Sequence, residues 1–154
     1  MELAPAGVRH ELGSPEWVRA VHRIVAELLE GEDLAGRTYS LSEEFTNPPP
    51  HLARAGTLGW HMRVADGRLL LGQGPLVDAD RVNRADYASV LPLALLEIDG
   101  SSERLAELQE RALALFQTGL IHSSGTPATQ VFPRLAALHD RIARITRAAA
   151  EAGE

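Results

Sequence analysis

Among residues able to do chemistry, Glu43 stands in the least ordinary company. In residues 37–46, RTYSLSEEFT, simple strand alternation places Glu43 on one face with Tyr39, Leu41 and Phe45, while Thr38, Ser40 and Ser42 take the other. A carboxylate among such side chains is costly to bury unless it meets a polar ligand group, a hydroxyl or an Arg. There it would serve as a pocket acceptor, or as a general base assisted by Tyr39 or His122. The favoured alternative is a β-bulge at Glu43-Glu44 that turns both acids to solvent, because unpaired Glu is seldom fully buried.

Other chemistry finds less support. His61 and His122 fall on expected strands, but no H-x-H or H-E-x-x-H spacing makes them a metal pair. Asp78, Asp80 and Asp86 resemble a loose calcium cluster without the Gly and bidentate Glu that a calcium loop needs. A solvated edge strand explains them better. Gly72-Gln73-Gly74 is too short for a dinucleotide fingerprint, and Ser123-Ser124-Gly125 lacks the glycines of a nucleophile elbow. The chain has no Cys, which excludes disulfides, thiolate metal sites and a Cys nucleophile. All 15 basic residues are Arg, so Schiff-base chemistry and the phosphate-loop Lys are excluded too. No cofactor or catalytic residue is expected from these patterns.

The elements that must position these residues follow from punctuation and period. Residues 58–74, LGWHMRVADGRLLLGQG, specify a hairpin, since Asp66-Gly67 tolerates the positive φ of a tight turn. Folding there pairs Val64 with Leu69, Met62 with Leu71 and Trp60 with Gln73. One face then carries Trp60, Met62, Val64, Leu69 and Leu71, the other His61, Arg63, Arg68 and Leu70. Upstream, Ser14-Pro15-Glu16 starts a helix in which Trp17, Val18, Val21, Ile24, Val25, Leu28 and Leu29 recur at helical spacing, and Gly31 can end it. Downstream come a weaker strand at 76–83, a short helix from Tyr87 that Pro92 breaks or restarts, and a helix with a buried stripe of Leu105, Leu108, Ala112, Leu115 and Phe116. A strand at 120–123 follows, then a last helix from Pro133 with Leu135, Leu138, Ile142 and Ile145 facing inward. Residues 1–13 read as a flexible tail, 14–147 as one α+β domain, and 148–154 as a fraying end.

With 154 residues the chain is long enough for one substantial core. Its net charge of −6 argues against nucleic acid or an anionic membrane surface as the main partner. It contains no apolar run of membrane-spanning length and no secretion signal, so a cytoplasmic location without integral membrane association is expected.

The order of elements, with LFQTGLIHSSG at 115–125 and GWHMRVADGRLLLGQGPLVDADRV at 59–82, resembles the sterol carrier protein type-2 family over roughly residues 15–144. The three prolines 48–50 and residues 95–102 depart from that family's pattern, and the acidic charge is more like its bacterial relatives. The resemblance implies a largely antiparallel sheet of about five strands, covered on one face by helices, enclosing a hydrophobic tunnel for a fatty acid, acyl-CoA, sterol or similar molecule. Trp60, Met62, Val64, Leu69, Leu71, Phe116 and Phe132 would line it, with Glu43 and His122 at its mouth. Ordinary core packing is the favoured alternative for any one apolar member. The leading functional reading is a small apolar-ligand carrier without chemistry of its own. The alternatives are an accessory module that binds an enzyme or forms a homodimer through the sheet's other face, and a small enzyme on an apolar substrate using Glu43.

Overall fold

The computed structural model describes residues 8–52 and 58–148. A short strand β1 (His10–Glu11) precedes helix α1 (Pro15–Leu28), where Ser14 accepts a hydrogen bond from the Trp17 amide at 3.1 Å and Pro15 fills the first turn. Strands β2 (Tyr39–Thr46), β3 (Leu58–Ala65), β4 (Arg68–Gln73) and β5 (Arg81–Asp86) follow, then helices α2 (Tyr87–Leu95) and α3 (Ser102–Gln117). The chain ends with β6 (Ile121–Gly125), α4 (Ala128–Val131), a 3-10 turn (Pro133–Ala137), α5 (Leu138–Ile145) and β7 (Thr146–Arg147). Five strands form one sheet in the order β4-β3-β2-β5-β6, antiparallel except for the parallel β2–β5 pair. This is the expected α+β architecture, with helices on one face.

The hairpin has the register read from its turn: Val64 pairs with Leu69, Met62 with Leu71 and Trp60 with Gln73. Asp66 and Gly67 both have positive φ, at 54° and 75°, the conformation that matches the right-handed twist of the flanking strands. Trp60, Met62 and Val64 are buried against the inward stripe of α1, whereas Arg63 is exposed on the opposite face. The connection from β4 to β5 crosses that outer face, where the Leu76 amide donates to Ser42 Oγ at 2.8 Å and so leaves an outward serine buried.

Four expectations are corrected. Residues 10–13 are no loose tail: β1 pairs in parallel with β7, and Leu12 is buried. What had been expected of residues 1–7 and 149–154 lies outside the described residues. The strand expected at 76–83 lies at 81–86, because Asp86 ends it by capping α2 through the Ser89 amide at 3.2 Å. Pro92 does not break α2. The helix runs through it and gives up one backbone bond, while Leu93 on the same turn becomes buried. Finally, α3 buries none of its residues, and Leu105 and Phe116 are exposed, because its main contacts among the described elements are with α2 and the edge strand β6. Leu135 is buried as expected, with Leu138, Ile142 and Ile145 partly buried against the core.

Candidate functional site

Because α3 stands off the sheet, a cleft of about 440 Å³ remains above the inner face of β2 and β5. Its floor is Leu41, Glu43, Phe45, Arg81 and Asn83; α2 contributes Val90, Leu93 and Ala94, and α3 contributes Leu108 and Ala112. The far wall is Leu135, Leu138, His139 and Ile142. Most of this surface is aliphatic, and the volume lies within the roughly 300–1,000 Å³ of small-molecule sites. A recess of about 280 Å³ adjoins it, shares Glu43, Phe45, Arg81, Asn83 and Val90, and extends toward Ile121 and Ser123 of β6.

Glu43 faces this interior. The β2–β3 register runs without interruption from Tyr39 opposite Val64 to Phe45 opposite Leu58, so the favoured bulge is absent and alternation alone decides where the carboxylate points. It sits in a row across the sheet, with Trp60 beside it on β3 and Asn83 on β5. Trp60 Nε1 donates to Glu43 Oε1 at 2.9 Å, and Asn83 Nδ2 donates to Oε2 at 3.1 Å. Arg81 Nε donates to Asn83 Oδ1 at 3.1 Å, and Arg81 Nη1 to the Gly125 carbonyl at 3.0 Å. Gly125 can hold that carbonyl in place because it has φ +93° and lies so close to Asp80 that any side chain would overlap the Asp80 carbonyl.

Burial pushes the Glu43 carboxyl above its ordinary value. The hydrogen bonds from Asn83 and Trp60 and the positive charges of Arg81 and His139 pull it down, without cancelling the rise. His139 Nε2 lies 2.7 Å from the Leu96 carbonyl. A carbonyl only accepts, so that nitrogen carries the proton.

Of the nine residues expected to meet a ligand, Glu43 alone lines the cleft. Trp60, Met62 and Val64 lie beneath α1 as packed core, with Leu69 and Leu71 half-buried against it. Phe132 is fully buried and stands edge-on to Tyr39 at 6.1 Å, with the Arg37 guanidinium 4.2 Å from its centroid. Phe116 is exposed and does not line the cleft. His122 is exposed and pairs with Arg84, on the face opposite Glu43, because β6 parity turns Ile121 inward and His122 out. Tyr39 also does not serve Glu43, since its hydroxyl donates to the Thr126 carbonyl at 2.7 Å. The acidic trio is dispersed: Asp80 holds the Ser40 amide, and Asp86 holds Ser89 and Asn47. Among the described residues no three His, Cys, Asp or Glu side chains converge as a metal would require, and no helix is long and apolar enough to cross a membrane.

Arg81, Asn83 and His139 are the polar members that sequence reading missed. Both signals were present. A strand running to the Asp86 cap puts Arg81, Asn83 and Ala85 on one face, and His139 falls on the helical stripe between Leu135 and Ile142.

No family model and no curated protein matches the chain. Three solved structures are similar to the chain. A conserved hypothetical protein of Thermus thermophilus, described as a candidate sterol carrier protein, is 19% identical, with a TM-score of 0.47, covering 97% of this chain and 100% of that one. A crystal structure of sterol carrier protein 2 is 20% identical with a TM-score of 0.48, over 87% of this chain and 98% of that one. UbiJ-SCP2, a ubiquinone synthesis protein, is 21% identical with a TM-score of 0.35, over 84% of this chain and 78% of that one.

Proposed function

We propose that this protein binds an apolar small molecule, of the fatty acyl or sterol kind, in the cleft between the sheet and helices α2, α3 and α5, and acts as its carrier. One observation carries the reading: a mostly aliphatic space of about 440 Å³ stays open where close packing would otherwise fill it, with the linked polar groups of Glu43, Asn83 and Arg81 on its floor. Such a lining suits a molecule with a large apolar body and a single polar group. The enzyme reading loses its helpers, since neither Tyr39 nor His122 reaches Glu43. The interaction-module reading has a separate observation in its favour, the exposed Leu105, Leu113 and Phe116 of α3.

The test is titration with the neutral fluorescent probe N-phenyl-1-naphthylamine. The protein should bind it saturably, and Ala112→Trp, which fills the cleft from a helix that buries nothing, should abolish binding while the protein stays folded. Undiminished binding in that variant would move the site elsewhere. Absence of binding in the unaltered protein, together with dimerisation in sedimentation, would favour the interaction module.

A further inference from the structure

The hydrogen bonds of the polar patch on the cleft floor all run in one direction. Arg81 donates to Gly125 and to Asn83, Asn83 donates to Glu43, and Trp60 donates to Glu43 from the other side. A guanidinium can only donate and an ionised carboxylate can only accept, so the Asn83 amide is fixed in one orientation. Flipping it would set its NH₂ against Arg81 and its carbonyl against Glu43, leaving two pairs of mismatched groups. The chain of bonds therefore ends on Glu43, where each carboxylate oxygen still has a lone-pair site to spare.

We infer that the cleft selects apolar molecules ending in a neutral hydroxyl over those ending in a free carboxylate, with Glu43 as the residue that sets this preference. The inference rests on reading the cleft as a ligand site. A hydroxyl supplies what the Glu43 oxygens lack, a donor without charge. A carboxylate would bring a second negative charge beside Glu43, and like charges disfavour each other. Arg81 offsets this only in part, because its positive charge already acts on Glu43 and two of its N–H groups are held by Asn83 and Gly125.

Displacement of N-phenyl-1-naphthylamine at pH 8 tests this by comparing 1-dodecanol with dodecanoate on the full chain. The alcohol should bind at least about tenfold more tightly, the scale on which leaving a buried polar group mispaired is felt. In Glu43→Gln the ratio should fall toward one, chiefly because dodecanoate no longer meets a negative charge, while the alcohol keeps one amide carbonyl in place of two carboxylate oxygens. Equal affinities in the unaltered protein, or tighter dodecanoate, would overturn the head-group preference and leave the cleft standing as a ligand site. Failure of both molecules to displace a probe that binds would remove the preference and the reading of the cleft as a site for such ligands. If Glu43→Gln does not fold, the ratio in the unaltered protein decides by itself.

Discussion

A single carboxylate shows how far local rules carry and where they stop. Two rules disagreed about Glu43: alternation put it inside, and the rarity of buried acids put it outside. Alternation prevailed because partners from neighbouring strands, Trp60 and Asn83, answer both oxygens. The cost of burial is still visible as a raised carboxyl pKa. The folded state therefore holds its proton more tightly than the unfolded chain does, so stability falls as pH rises from the ordinary 4.5 toward the folded value. Urea unfolding at a series of pH values should show the unaltered protein losing ground to Glu43→Gln across that window and levelling off above it. A gap that stays flat or moves the other way would mean that Glu43 is solvated. Asp140 has the opposite sign. Burial pushes it up, but the amides of Ile98 and Asp99 and the charges of His139 and Arg144 outweigh that and lower it. Its contribution is complete above the ordinary 3.8 and is lost as pH falls through the lowered value, a loss that Asp140→Asn should remove.

At the scale of elements, the strands and α1 were legible and the cleft was not. A strand's faces follow from parity and one turn, so Asp66-Gly67 was enough to place Trp60, Met62 and Val64 inside. A helix's apolar stripe says only that something apolar faces it. For α1 that partner is the sheet, whereas for α3 the stripe of Leu105, Leu108 and Ala112 borders open space. Nothing local distinguishes the two cases, and for that reason Phe116 read as a lining residue and lies outside. The difference is energetic and measurable. Met62→Ala should cost about 2–5 kcal/mol as a buried cavity mutation. Leu105→Ala, at a position 41% exposed, should stay within about half a kcal/mol. A Leu105→Ala loss matching that of Met62→Ala would mean that α3 closes onto the body in solution.

Across the whole molecule, the packed core beneath α1 and the cleft share a boundary, since Leu41, Phe45 and Leu135 belong to both. A ligand seated there is expected to stabilise the fold by packing against that boundary. At a free concentration a hundredfold above Kd it should add about 2.7 kcal/mol to unfolding. The most direct test is a methyl-resolved NMR titration with 1-dodecanol. The methyl groups of Val90, Leu93, Leu108, Leu135, Leu138 and Ile142 should shift together, while those of Met62 and Val64 beneath α1 and of Leu113 on the outer side of α3 stay in place. Shifts confined to Leu105 and Leu113, or no shifts at saturating alcohol, would contradict the assignment of the cleft as the ligand site.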